Sequence, residues 1–328
     1  MNLIFALDTE DYVTPQAWDA QLWWMQTLKE RNIQGSFQLV GELVKTWVKE
    51  GRQDLLEAIR HHEVGYHTQW HSLHPVHVSA LYDKDLQEGI QWVLSWESEG
   101  FNYVKEKTGK QPISFTAPGI NWTPHSFLAM SLLGAKVAGA FNWGGRDWYS
   151  GLLSMPYDLC FDDYFGRSAE DAFSAFKSDF LKLKPHLNTL CLYTHPTRLV
   201  TSAFWDAQLA KGHVMNREDL QPAPLHTEAQ IEEHKSFVRQ AFSWLSSQGH
   251  DFTTMEAYYN SHPEPKKHIQ DLLKYKNLNE SQYNELLGQE EGEQNGFHYR
   301  WTMIPEGYDY DNLHTISRQL NWTRHFPG

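Results

Sequence analysis

The sequence predicts an α/β protein, a distorted (β/α) barrel of about seven strands followed by a C-terminal appendage. Two observations point there. Short apolar runs alternate with amphipathic helical patterns from residue 3 to about residue 255, which calls for parallel strands covered by helices. Several of those runs end in groups that carry chemistry: Asp8, Glu10 and Asp11 after the first, His67 after the third, His195 after a later one. Functional side chains at strand ends favour a barrel over a doubly wound sheet.

Taken in order, Leu3 to Leu7 reads as a buried strand, and Thr14-Pro15 opens a helix over Ala17 to Arg31, with proline in the first turn. Gly35 to Gly41 is a second strand. Glu42 to Arg60 is helical with a break at Gly51. Glu63 to Tyr66 is the third strand, and a long helical pattern follows from Val78 to Lys107. Pro112 to Thr116, Lys136 to Trp143, Gly151 to Met155 and Asn188 to Thr194 read as further strands, with helices over Pro124 to Leu133 and Ser168 to Phe180. Residues 196 to 225 form an insertion too long for an ordinary connection, and such loops usually line a site. Glu228 to Gln248 is a helix, and Asp251 to Met255 a last strand that ends the barrel domain at about residue 260. Residues 261 to 328 are a helical and aromatic extension. Phe297, Tyr299, Trp301, Tyr308 and Tyr310 need apolar cover, which predicts packing on the barrel or on a second subunit, the latter making a homo-oligomer.

The composition excludes several function classes. A formal charge of −13 over 328 residues argues against nucleic acid or an anionic membrane surface as the main partner. No apolar run is long enough for a membrane span, and the apolar stretch before Asp8 is too short and lacks the basic flank of a secretory leader. Two cysteines, Cys160 and Cys191, do not make a disulfide framework and are expected reduced in the interior. The expected compartment is cytoplasmic. Fourteen tryptophans offer flat faces suited to sugar rings, although core packing accounts for most of them.

The most informative stretch is Glu63-Val64-Gly65-Tyr66-His67-Thr68-Gln69-Trp70-His71. If it turns helically after the strand, His67 and His71 fall on one face and both reach one divalent cation, with a third ligand from the acids after Leu7. In a chain with 18 histidines such a pair also arises by chance, and solvated or core imidazoles are the commoner explanation; the surrounding residues decide. Together with the first-strand acids, the segment resembles the polysaccharide deacetylases of carbohydrate esterase family 4, the NodB-homology family. The resemblance covers about residues 1 to 258.

Residue by residue, the resemblance implies that Asp8 is the general base and Glu10 the carboxylate ligand, with Asp11 as the competing ligand. It implies that His67 and His71 complete a two-histidine, one-carboxylate site for a divalent metal, expected to be Zn2+. The family's third motif is matched by Thr116-Ala117-Pro118-Gly119, which lacks its arginine; Arg146 and Arg198 are the candidates to replace that charge. The Gly119 N–H is implied to help hold an oxyanion. Asp147-Trp148 matches the motif whose aspartate tunes the acid histidine, and His195 ends the strand that carries that acid. Trp148, Trp70, Tyr12 and Trp122 are the expected substrate-binding aromatics. The implied activity is metal-dependent removal of an acetyl group from the amide nitrogen of a sugar or glycan, the substrate being a small molecule or oligosaccharide. The alternatives are an amide or imide hydrolase or a deformylase on a non-polymeric substrate, and a non-catalytic carbohydrate-binding relative.

Overall fold

A computed structural model describes residues 1–73, 75–81, 84–119, 123–140, 148–149, 152–207 and 217–262. The extension after residue 262 therefore lies outside the described residues, as do Asp147, Arg146 and Trp122. In chain order, the barrel-like α/β fold begins with β1 (Asn2–Thr9), α1 (Pro15–Lys29), β2 (Ser36–Leu39), α2 (Gly41–Lys49), α3 (Gln53–Ala58) and β3 (Glu63–Tyr66). It continues through α4 (His77–Leu81), α5 (Leu86–Thr108), β4 (Ser114–Thr116), α6 (Pro124–Leu133), β5 (Val137–Gly139), β6 (Trp148–Tyr149), β7 (Leu152–Met155) and β8 (Leu159–Cys160). The last elements are α7 (Ala169–Leu183), β9 (Thr189–Thr194), α8 (Glu228–Ser247), β10 (Asp251–Thr253) and α9 (Met255–Asn260).

One curled sheet holds the strands in the order β6-β7-β5-β4-β3-β2-β1-β9-β8, with β10 paired to β1. All neighbours are parallel except β6 and β7. Among the described residues the sheet has ten strands. The two strands beyond the eight segments read from the sequence, β6 and β8, are only two residues long and carry no period to read; β10 pairs with the first half of β1, leaving the second half to β2. The helical pattern from Val78 to Lys107 divides into α4 and α5, because the Asp85 carboxylate caps α5 by accepting from the Glu88 N–H.

Strand parity sorts the core. Leu3, Phe5 and Leu7 join the larger cluster between sheet and helices, whereas Ile4 and Ala6 join a smaller one with Met155, Tyr157, Cys191 and Met255 inside the curl. Side chains alternate along a strand, so Asp8 continues the inner row and Glu10 extends it past the strand end. On β9 the inner row is Cys191 and Tyr193, which aims His195 at the same mouth. Phe5 meets Trp24, Phe161 and Phe242 with ring centroids 5.0 to 5.5 Å apart, which fixes β1 against α1, α8 and the turn after β8. Among the described residues neither Cys160 nor Cys191 forms a disulfide, and both are buried. Among the described residues, no helix is long and apolar enough to cross a membrane.

Candidate active site

Register brings the inner row together. In β1 and β9, Leu7 pairs with Thr194, so Asp8 lies beside His195; in β8, Cys160 pairs with Tyr193, so the turn after β8 brings Asp162 to His195. The His195 Nε2 stands 3.8 Å from Asp8 Oδ2, and its Nδ1 lies 2.6 Å from Asp162 Oδ2. Asp162 also accepts from the Thr194 hydroxyl at 2.6 Å, and its neighbour Phe161 is buried among Phe5, Phe176, Phe237 and Phe242. The histidine is therefore gripped from the side away from Asp8. Asp162 was not singled out in the sequence; the only signal was an acid pair, Asp162-Asp163, after the apolar Leu159-Cys160.

Across the mouth, Glu10 Oε2 lies 2.8 Å from His71 Nε2 and 3.6 Å from His67 Nε2. One ligand atom from each of Glu10, His67 and His71 lies within 4.8 Å of the other two, and all three residues are buried. The expected helical turn over 67–71 does not form. The segment is a loop in which Thr68 (φ 62°) and His71 (φ 58°) adopt the left-handed region, a costly conformation for a β-branched residue. Hydrogen bonds hold it there. The first amides of α2, Gly41 and Glu42, donate to the carbonyls of Thr68 and Gln69 at 3.0 Å, so helix N–H groups with no partner of their own grip the loop. The Tyr12 hydroxyl donates to the Trp70 carbonyl at 3.2 Å, the Gln69 N–H to Glu97 Oε2 at 2.7 Å, and the His71 N–H to Thr68 Oγ1 at 3.0 Å.

The acceptors behind each ring fix the tautomers. The His67 Nδ1 faces the Thr116 carbonyl at 2.6 Å, and a carbonyl only accepts, so Nδ1 carries a proton and Nε2 is the nitrogen turned toward Glu10. The His71 Nδ1 contacts Ser72 Oγ at 2.7 Å and Asp206 Oδ2 at 3.2 Å, again leaving Nε2 toward Glu10. Burial opposes the charge of Glu10, but the His71 imidazolium, itself raised to about 10 chiefly by Glu10 against its own burial, and hydrogen bonds from His67 and His71 override it and hold the carboxyl well below the ordinary range; a metal ion would take the place of the Nε2 proton. The donor set fits a borderline-soft divalent ion: an ionised carboxylate and two imidazoles preset to present Nε2. Asp11 has other work, with Oδ1 accepting from the Val13 and Thr14 amides at 3.0 and 2.8 Å and Oδ2 from the Thr197 hydroxyl at 2.8 Å. Cys160, Asp162 and His195 form a second cluster, but burial and the carboxylates of Asp162 and Asp163 push the Cys160 thiol far up, and Asp162 already occupies the His195 Nδ1.

Thr116 stands where the resemblance has an arginine, and the group it brings toward Asp8 is the neutral Tyr157 hydroxyl. The Tyr157 hydroxyl donates to Asp8 Oδ1 at 3.1 Å, and Thr116 Oγ1 backs the phenol at 3.2 Å. Burial raises the Asp8 carboxyl above its ordinary range, with His67, His195 and the phenol working against the rise. Arg198 points elsewhere, donating to the Thr201 carbonyl at 2.8 Å and stacking over Phe204 at 5.0 Å. Gly119 follows Pro118 with φ 57° in an exposed turn beyond β4. Tyr12 is buried with its ring centroid 4.7 Å from that of Trp205, and half-buried Trp70 lines a cleft of about 740 Å³ with Glu42, Lys45 and Tyr103. Trp148 lies in β6.

No family model and no curated protein sequence matches the chain. Solved structures do. A putative polysaccharide deacetylase from Mycobacterium smegmatis superposes with a TM-score of 0.54 at 12% identity, covering 81% of this chain and 94% of that one. A 4-alpha-glucanotransferase from Thermococcus litoralis gives 0.52 at 12% identity, covering all of this chain and 50% of that one. A mutant of BA3943, a CE4 family pseudoenzyme with restored enzymatic activity, aligns with a TM-score of 0.47 at 10% identity, covering 78% of this chain and 66% of that one. At such identities the likeness is one of fold. Because the fold is shared by proteins as different as a putative deacetylase and a glucanotransferase, function has to be argued from side chains.

Proposed function

We propose that the chain is a divergent member of the polysaccharide deacetylase family, a metal-dependent hydrolase that removes an acetyl group from the amide nitrogen of an acetylated sugar. The supporting observation is the convergence of the Glu10, His67 and His71 donors beside the Asp8 and His195 pair. A divalent ion bound by Glu10, His67 and His71 would supply Lewis acidity to an amide carbonyl and to water. Asp8, held by Tyr157, accepts the proton of the attacking water. His195, kept protonated by Asp162, returns one to the departing amine. Burial works against that proton, yet the Asp162 carboxylate overrides it and brings the imidazole up to about 9. The Gly119 N–H is assigned to the developing oxyanion.

A second reading, an amide hydrolase on a non-polymeric substrate, draws on the insertion: Trp205 lies 5.5 Å from the His71 ring, on ground a long glycan chain would need. Both readings are tested by following acetate or formate release from N-acetylated chito-oligosaccharides of graded length and from small N-acyl amides. The wild type, its chelator-treated form and the Asp8→Asn variant are compared. Release that resists chelation, or that survives in Asp8→Asn at the wild-type rate, would remove the proposed chemistry.

A further inference from the structure

We propose that Asp206, carried on the 196–225 insertion, is a positioning residue for His71, so that the insertion completes the metal centre as well as covering it. The inference rests on the reading of Glu10, His67 and His71 as ligands. Of the three imidazoles at the mouth, His67 and His195 take their Nδ1 acceptors from the barrel, a Thr116 carbonyl and the Asp162 carboxylate. His71 takes its acceptors from its own neighbour Ser72 and from a carboxylate 134 residues beyond Ser72.

The hydrogen-bond directions form one chain. An ionised Asp206 carboxylate only accepts, so the Ser72 hydroxyl, 2.5 Å from Asp206 Oδ2, must donate to it. The Ser72 oxygen then has lone pairs for His71 Nδ1–H at 2.7 Å, and Asp206 Oδ2 is itself 3.2 Å from that nitrogen. The pair of contacts sets both the tautomer and the rotation of the ring, the two properties a histidine must have fixed before its Nε2 can meet an ion at low cost. Trp205 is buried against the ring, with centroids 5.5 Å apart, and limits the water that would compete for Nδ1.

The insertion is anchored well enough to hold this geometry. Thr201 bridges Leu225, the Ser202 N–H donates to the Pro224 carbonyl at 2.8 Å, and the His226 N–H to Val200 at 2.9 Å. The Ala223 N–H reaches Thr14 Oγ1 at 2.9 Å, which ties the far arm of the insertion to the loop that follows the first-strand acids. Asp11, set aside as a ligand, makes the matching tie to Thr197.

The test titrates metal-free full-length protein with Zn2+ against a chromophoric chelator, and records the visible spectrum of the Co2+ form. The wild type is compared with Asp206→Ala, Asp206→Asn, Ser72→Ala and His71→Ala. Asp206→Ala should weaken Zn2+ binding 10- to 100-fold and alter the Co2+ spectrum, and Asp206→Asn, whose amide oxygen still accepts from Ser72, should recover part of the loss. Ser72→Ala should weaken binding in the same direction and serves if Asp206→Ala does not fold. Wild-type affinity and an unchanged Co2+ spectrum in the folded Asp206→Ala or Ser72→Ala variants would overturn the positioning role while leaving the metal centre intact. Failure of the wild type to bind Zn2+, or full binding by His71→Ala, would instead overturn the ligand assignment beneath it.

Discussion

Asp8 and His195 face each other from adjacent parallel strands at 3.8 Å, each held from behind by a different group, Tyr157 for the carboxylate and Asp162 for the imidazole. Burial raises Asp8, and Asp162 raises His195 to about 9, so the ionisation that the proposed base and acid roles require, Asp8 charged and His195 protonated, spans the range between the two. Turnover should therefore rise with pH as Asp8 loses its proton and fall as His195 loses its own. In Asp162→Asn the imidazole loses its negative neighbour, and the alkaline limb should move down by on the order of one pH unit. A pH–rate profile of kcat/KM measures this directly; an alkaline limb that stays in place would assign it to another group.

Tyr157 has the complementary effect on the other limb. Its hydroxyl favours the charged form of Asp8, so Tyr157→Phe should move the acid limb to higher pH and leave Zn2+ stoichiometry unchanged. If Tyr157→Phe kept the wild-type acid limb and rate, the phenol would be only a packing residue.

How much of this was legible in the sequence follows from the physics of each element. The inner row Ile4, Ala6, Asp8 and its counterpart ending at His195 obey a period of two, and a buried strand writes that period plainly. Asp162 escaped because β8 has two residues and thus no period, and because its position depends on the aromatic anchorage of Phe161. The loop after β3 escaped in shape though not in content: left-handed Thr68 and His71 go against local preference, and the amides of α2 and the Glu97 carboxylate impose them. Tyr157 and Asp206 act through contacts 149 and 134 residues apart in the chain, which no local pattern encodes.

His62 makes the fold sensitive to acid. It is buried, accepts from the Gly35 N–H through Nδ1 at 3.3 Å, and lies with Nε2 3.0 Å from the Met25 carbonyl; protonating Nδ1 would break the first bond. Burial lowers it to about 4 from its ordinary 6.5. The unfolded chain thus takes up this proton first as pH falls, so stability drops from about pH 6.5 and levels off below about pH 4, by up to ~3 kcal/mol from this group. Urea titrations at pH 7 and pH 4.5 should show the loss, and the loss should shrink when His62 is replaced by Gln. Equal stability at the two pH values would refute the assignment.

Gly100, in the middle of α5, tests how the loop carrying His67 and His71 is held. A Cβ at this position would strike Gln69 Oε1 and the Tyr66 hydroxyl, both buried against the underside of the loop that carries His67 and His71. Alanine normally favours a helix over glycine by about 1 kcal/mol, so on an unobstructed face Gly100→Ala would stabilise. Here the overpacking, typically ~1 to 3 kcal/mol, outweighs that gain, because the Tyr66 hydroxyl sits on a rigid, fully buried ring bonded to Glu97 Oε2 at 2.7 Å and the Gln69 carboxamide is itself buried. The variant should be less stable to urea and should bind Zn2+ more weakly, since displacing Gln69 moves the chain between the two histidines. Lys105→Ala, on the exposed face of the same helix, is the control and should change neither property. A Gly100→Ala protein with wild-type metal affinity would show that the loop keeps its shape without support from α5.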